Sequence, residues 1–213
     1  MIWLEVLVEG ISDVPTIKII LEKKFNLTEG NDFAIHWHCG RGNLPINPHA
    51  ISDPKHLGLL DQLPSKLRVY AKRPLERSVV VLVVVDTDDT PCVELLRDLN
   101  NMLDALPEKP QVLFRLAIEE IESWFISDVN ALRSAYPKRL DKSVLKGLEP
   151  DAIVGAWEIL AKALKFEESS AGPGVKLSWA EKISPHLNLD QPRSPSLRKF
   201  IEGVDRLVKG HPK

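Results

Sequence analysis

Seven consecutive Val and Leu residues, Val79 to Val85, run without a polar interruption and end at Asp86. Such a run suits a strand covered on both faces, the situation of a central strand in a parallel sheet. Parallel strands need crossover connections, so helices must alternate with strands along the chain. Ile2 to Val8 (IWLEVLV) reads as a strand that stops at Gly10. A helix follows, with Ser12 or Asp13 as its cap, Pro15 in its first turn, and Ile17, Ile20, Leu21 and Phe25 at helical spacing. Phe33 to Cys39 alternates Phe33, Ile35, Trp37 and Cys39 against Ala34, His36 and His38, the period of a strand. Gly40 to Ala50 is turn-rich, and a short helix is expected around Leu57–Leu67. After the central strand, Val93 to Leu106 predicts a helix with Val93, Leu96, Leu99, Leu103 and Leu106 facing inward, closed by Pro107 and Pro110. Gln111 to Ile118 reads as a strand that runs into a helix over EEIESWFISD.

Beyond Asp128 the alternation stops. Helices are expected at Ile153–Leu164, Trp179–His186 and Ser196–Val208, the last capped by Ser196, and Glu167 to Gly174 (EESSAGPG) has the composition of a linker. The 213 residues therefore predict an α/β fold: a mainly parallel sheet with helices on both faces over 1–128, and a helical C-terminal extension over 129–213 packed on it. Seven apolar residues fall far short of the roughly 20 that a membrane-spanning helix needs. No basic segment followed by a small-residue cleavage site opens the chain, and two cysteines make neither a disulfide framework nor a zinc pattern, so a cytoplasmic location is expected. Charge divides unevenly: residues 1–128 hold 13 Lys and Arg against 20 Asp and Glu, residues 129–213 hold 15 against 10. An acidic front and a basic back suit cation-holding carboxylates beside a flank that receives a polyanion.

In open α/β sheets functional groups gather where loops leave the carboxyl ends of strands. Three predicted strands end in acids: Glu9 after the first, Asp86, Asp88 and Asp89 after the central one, and Glu119, Glu120 and Glu122 after the last. Asp86 and Asp88 flank a single residue, so both carboxylates can turn toward one point, as a hard cation requires. Without a cation or a shared proton they would repel each other.

Glu9-Gly10 between a strand and a helix (LVEGISDVPTIKIIL), followed by a hydrophobic strand ending in Asp86-x-Asp88, resembles the Toprim pattern of topoisomerases, primases and overcoming-lysogenization-defect (OLD) type nucleases. RLAIEEIESWFISD, then SWAEKISPHLNLDQPRSPSLRKFIEGVDRL, resembles the Toprim-like family labelled domain of unknown function 4276, over nearly the whole chain. The resemblance implies a Toprim-like sheet and magnesium-dependent cleavage of a nucleic-acid phosphodiester, with manganese as a substitute. It makes Glu9 the proton-transferring or metal-binding glutamate and Asp86 and Asp88 the magnesium ligands. Glu122, with Glu120 behind it, would serve a second ion, and Asp128 is the terminal acid of the Glu-x-Trp helix. It also departs from the pattern: Pro91 stands before Cys92 where the family usually carries an acid, so any role of that acid is lost or moves to Asp89. Nucleic acid, DNA ahead of RNA, is the expected partner. The OLD-type relatives work with an ATPase, and this chain has no GxxxxGK[ST] loop, so a separate ATPase in a defence system is a further expectation. Oligomeric state is left open, a homo-oligomer included.

Cationic candidates are Lys176, placed to offset developing charge, and Arg41 and Arg193, placed to contact phosphate. Bland readings stand beside these. Glu9 can cap a helix, Asp88 and Asp89 can cap the helix at Val93, Glu119 can complement a helix dipole, and Trp124 and Phe125 suit a core. His36 and His38 share a strand face at a spacing that also serves a metal. Two other functions remain in play: a non-catalytic nucleic-acid-binding or assembly module, and a phosphatase of the haloacid-dehalogenase type, since Asp86-Thr-Asp88-Asp-Thr90 satisfies its DxDxT signature.

Overall fold

A computed structural model describes residues 2–72, 78–167 and 172–210. Four strands, β1 (Ile2–Val8), β2 (Phe33–Trp37), β3 (Ser78–Asp86) and β4 (Gln111–Ala117), form one sheet in the order β2-β1-β3-β4. All three pairings are parallel. The connections are α1 (Val14–Phe25), α2 (Leu59–Ala71) and α3 (Cys92–Asp104). Both faces of β3 are covered, as its composition demands. Val80, Leu82 and Val84 join the core on one face with β1, α1 and the C-terminal helices, while Val81, Val83 and Val85 join a second core under α2 and α3.

The C-terminal part comprises α4 (Glu122–Ile126), α5 (Val129–Ala135), α6 (Ala156–Ala163), α7 (Pro173–Ile183), a 3-10 turn over Ser184–His186, and α8 (Pro195–Gly210). Its largest buried side chains, Trp124, Trp179 and Phe200, share the core that Leu4, Val6 and Leu82 supply from the sheet. No helix among the described residues is long and apolar enough to cross a membrane.

Local differences from the sequence reading have physical causes. β2 ends at Trp37, and Cys39 is exposed beyond it. α3 turns Leu95, Leu99 and Met102 to the core, leaving Val93 75% and Leu96 40% exposed. Leu99 and Leu106 are buried and Leu103 packs on the same core, as the spacing suggested, but Leu95 and Met102 take the places expected for Val93 and Leu96. Pro91, not Asp88 or Asp89, precedes its first turn. The helix expected over EEIESWFISD shrinks to α4, because Glu119 adopts φ +63° and forms a turn. Gly155, at φ +72°, delays α6 to Ala156. α7 begins at Pro173, inside the linker-like stretch, of which 168–171 lie outside the described residues. Ser194 rather than Ser196 caps α8, its Oγ accepting from the Leu197 amide at 3.1 Å.

Candidate functional site

Strand order reverses between β1 and β3, since β1 leads outward to β2 and β3 leads the other way to β4. The loops leaving these two strands part there and open a crevice at the carboxyl edge. Glu9 is the residue after β1 and Asp86 the last residue of β3. Glu9 Oε1 accepts the Asp86 amide at 2.8 Å, which locks the two strand ends together. Asp13 stands at the N-cap position of α1 but makes no cap bond to the helix. Its carboxylate turns back, Oδ2 accepting the Gly10 amide at 2.8 Å and Oδ1 the Ser12 hydroxyl at 3.3 Å. The turn after β4 contributes Glu120 and Glu122, the latter buried. From α7, Lys176 Nζ donates to Glu120 Oε1 at 2.9 Å and lies 3.7 Å from Glu122 Oε1. Its ammonium also sits 5.7 Å from the centre of the Trp157 ring.

Five carboxyl groups thus gather near one ammonium, with Arg41 also drawing on Glu9, and the titration of Glu9, Asp13, Asp86 and Glu122 reflects it. Burial, opposed by the Asp86 amide and reinforced by Asp13 and Asp88, lifts Glu9 to about 8. Burial lifts Asp13 to about 6 against the Gly10 and Ser12 hydrogen bonds. Asp86 is pushed well above the usual carboxylate range by burial, then by Glu9, Asp13, Glu122 and Glu120 in turn. Glu122 rises to about 7 through burial, although Lys176 pulls it back. For Lys176, burial disfavours the charge, but Glu122, Glu120 and Asp86 outweigh it and its pKa rises. The crevice carries more negative potential than its single ammonium neutralises, and protons take up the remainder.

The other sequence candidates are placed differently. Asp88, at φ +44°, directs its exposed carboxylate to Arg41 Nη1 at 3.0 Å, although its charge still reaches Glu9. Arg41 also donates to the Thr87 carbonyl at 2.9 Å and the Thr90 hydroxyl at 2.8 Å. It clamps the loop after β3 to the loop after β2. Arg193 is exposed beside Asp128, Asn188 and Gln191, in a small hollow of the C-terminal part. Glu119 serves the backbone: its two oxygens accept the Gly155 and Ala156 amides at 2.7 and 2.8 Å, capping α6. Asp128 caps α5 through the Ala131 amide at 2.9 Å and holds the Asn188 amide at 2.8 Å. Trp124 and Phe125 are core. His36 pairs with Glu5 at 2.7 Å, and His38 Nδ1 bonds the Val8 carbonyl at 2.8 Å.

Asp13 is the site residue that sequence reasoning assigned elsewhere. Its signal was the spacing Glu9-Gly-x-x-Asp13, which returns the second acid to the strand end when the helix opens with a tight turn. Trp124 joins the two stretches that carried the family resemblance: its Nε1 donates to Ser196 Oγ at 2.8 Å. Ser194 Oγ in turn donates to Asp151 at 2.7 Å, and Asp151 also takes the Ser196 amide.

The donor set of the crevice is all carboxylate oxygen, the chemistry of a hard divalent cation. Glu120 Oε2 is buried with no hydrogen-bond partner, one lone pair turned to nothing. Both observations fit a cation. Among the described residues, no three acidic, His or Cys side chains already stand close enough to hold one ion together. Lys176 occupies the position between Glu120 and Glu122, so a metal there would share the crevice with its ammonium or displace it.

The family model with the description Domain of unknown function (DUF4276) matches residues 8–205. No curated protein and no solved structure matches the chain.

Proposed function

We propose that this chain, which belongs to the family described as Domain of unknown function (DUF4276), is a divalent-metal-dependent phosphodiesterase acting on nucleic acid. One observation carries the reading: Glu9, Asp13, Asp86, Glu120 and Glu122 converge on a strand-end crevice, where burial and then the charges of the other four all raise the proton affinity of Asp86. Stability alone gives no reason to assemble them, whereas a site that must neutralise a phosphodiester and its attacking oxygen does. The resemblance of Glu9-Gly10 and Asp86-x-Asp88 to the Toprim pattern supports the same chemistry.

In this reading Asp86 and Glu122 hold the ion, with Glu120 beside Glu122 on Lys176. Magnesium, or manganese in its place, would offset charge on the attacking and leaving oxygens. Glu9 is the proton carrier. Its Oε1 is engaged by the Asp86 amide, so the proton it retains near neutral pH sits on Oε2, and a pKa of about 8 lets it give or take one. Lys176 holds Glu120 and Glu122 in place and supplies positive charge where the phosphate would lie. The basic C-terminal half, with exposed Arg193, is the flank for the polyanion, DNA ahead of RNA. A separate ATPase in a defence system remains part of this proposal.

The second reading, a binding or assembly module without catalysis, draws on Lys176 already neutralising Glu120 and Glu122 and on the absence, among the described residues, of a ready three-ligand group. The phosphatase reading is disfavoured because it needs Asp88 as a general acid beside Asp86, and Asp88 is committed to Arg41. Calorimetry with magnesium and manganese on the wild type and Asp86→Ala, followed by plasmid and RNA cleavage on the same samples, separates the readings. Binding lost with Asp86 together with metal-dependent cleavage is the expected result. No divalent binding by the wild type would reject the catalytic reading, and salt-dependent DNA affinity unchanged in Asp86→Ala would favour the module.

A further inference from the structure

β4 is an edge strand, paired with β3 alone. The Ala117 carbonyl accepts the Thr87 amide on the β3 side. Successive strand residues turn their backbone groups to opposite sides, so Val112, Phe114 and Leu116 direct theirs to the open edge. Among the described residues no backbone group outside the sheet pairs with them. The Phe114 carbonyl is held by Arg115 Nη1 at 2.6 Å.

The edge is flanked, not covered. α3 and α8 stand on either side of a groove of about 610 Å³, floored by Phe114, Leu116 and Ile118. Val93 and Leu96 make the α3 wall apolar, and both are exposed there. The α8 wall is cationic, with exposed Lys199 and Arg206. Arg115 rises from β4 on that side and packs so tightly on Gly203 that a Cβ there would strike its guanidinium. Its Nε is buried without a hydrogen-bond partner. The acid of the groove, Asp151, is already engaged by Ser194 and Ser196. Glu202 of α8 stands 4.0 Å from Lys199 and its charge also reaches Arg115, so on this side three cations meet one further carboxylate and a net positive charge is left. A second copy paired edge to edge would bring the same cations against their own images, which like-charge repulsion opposes.

We propose that the β4 edge docks an extended segment of a partner protein in which apolar and acidic residues alternate, added to the sheet as a fifth strand. Strand side chains alternate between faces, so apolar residues of the segment meet Val93 and Leu96 while its carboxylates meet Arg115, Lys199 and Arg206. Backbone hydrogen bonds to the outward amides of Val112, Phe114 and Leu116 and to the carbonyls of Val112 and Leu116 supply affinity, and the two walls set the pattern. The proposal does not depend on the nuclease reading, because the edge lies apart from the residues assigned to metal and proton transfer.

The probe is a fluorescein-labelled peptide of about ten residues alternating Val and Glu, long enough to span a strand, titrated against the full chain by anisotropy. A twin alternating Val and Lys is the control. The Val-Glu peptide should bind with a Kd in the range of about 1–100 µM, and the twin should not. The pair Lys199→Glu and Arg206→Glu, both exposed, should weaken binding at least ~10-fold, with the melting temperature unchanged. Leu116→Pro should abolish binding by removing an outward amide, and circular dichroism on this variant checks that the fold persists. If that variant fails to fold, slowed amide exchange at Val112, Phe114 and Leu116 in the bound wild type carries the same information. Equal binding of both peptides, binding indifferent to the charge reversals, or none up to ~1 mM would overturn the proposal. So would a concentration-dependent dimer in sedimentation that is lost in Leu116→Pro, which would assign the edge to a second copy.

Discussion

Two polar clusters lie inside this chain, and they are resolved in opposite ways. Around α8, Asp151 takes the Ser194 hydroxyl and the Ser196 amide, Ser196 takes the Trp124 indole, and Ser194 takes the Leu197 amide. Each of these polar groups has a hydrogen-bond partner, and the cluster ties α4, the loop before α6 and α8 together. At the sheet edge, five carboxyl groups meet one lysine, and Glu120 Oε2 is left with no partner. Buried polar groups that are fully matched stabilise, whereas matching left incomplete costs free energy. The contrast separates a cluster that holds the fold from one that is kept at the fold's expense, the mark of a site reserved for something that arrives later.

The sharpest break of this comparison is Asp86→Asn. It should lower metal-dependent cleavage at least ~100-fold, as loss of a direct ligand exceeds loss of its supports. At pH 8 without metal it should raise stability by roughly 1–3 kcal/mol, because a neutral amide avoids the cost of burying a charge and then the repulsion from Glu9, Asp13, Glu122 and Glu120. A simultaneous loss of stability in thermal melts would place Asp86 with the structural cluster instead.

Next in size is the pH dependence of the metal-free protein. The carboxyl groups of Asp13, Glu122 and Glu9 titrate in the folded state near 6, 7 and 8, above their ordinary values. The folded chain therefore binds more protons than the unfolded chain from about pH 4 to 8, and stability falls as pH rises through that window. The stabilisation is complete below the ordinary carboxylate range and is gone above about pH 8. A loss on the order of a few kcal/mol between pH 5 and 8 is expected, reversed by adding magnesium at pH 8. A melting temperature that is flat over this range would mean the charges are compensated already.

Asp151→Ala tests the matched cluster. It removes the acceptor of two hydrogen bonds, so a loss of about 2–4 kcal/mol is expected, a drop of roughly 5–12 °C in Tm. Divalent binding measured at a temperature where the variant is folded should be unchanged. Smallest is Trp124→Phe, which keeps most of the ring and its packing 5.6 Å from Phe200 but loses the bond to Ser196. About 1–2 kcal/mol of stability should be lost in denaturant titration, with the pH profile unaltered.

Much of the sheet was legible because strands of this kind announce themselves by composition. Val79 to Val85 required cover on both faces and received it, and the strand-end positions of Glu9 and Asp86 followed from where their apolar runs stop. Helix phase was less legible. In α3 the apolar stripe through Val93 and Leu96 and the one through Leu95, Leu99 and Met102 are both periodic, and only packing against β4 selects between them. The acids were visible as a group, but not their fates. Glu119 and Glu120 are neighbours, yet a left-handed turn at Glu119 sends one to the amides of α6 and leaves the other facing Lys176.

What the residues determined on their own is therefore local: which segments are strands, that the strands run parallel, and that acids stand where three of them end. Hydrophobic periodicity and chain connectivity suffice for this, because they depend on neighbours a few positions away. Tertiary structure alone decided that Lys176 crosses from α7 to Glu120 and Glu122 and that Asp88 is held by Arg41. Those outcomes depend on burial and on charges brought together across 47 to 56 positions of sequence. Coulomb energy and desolvation act through space, and distance along the chain carries no record of them.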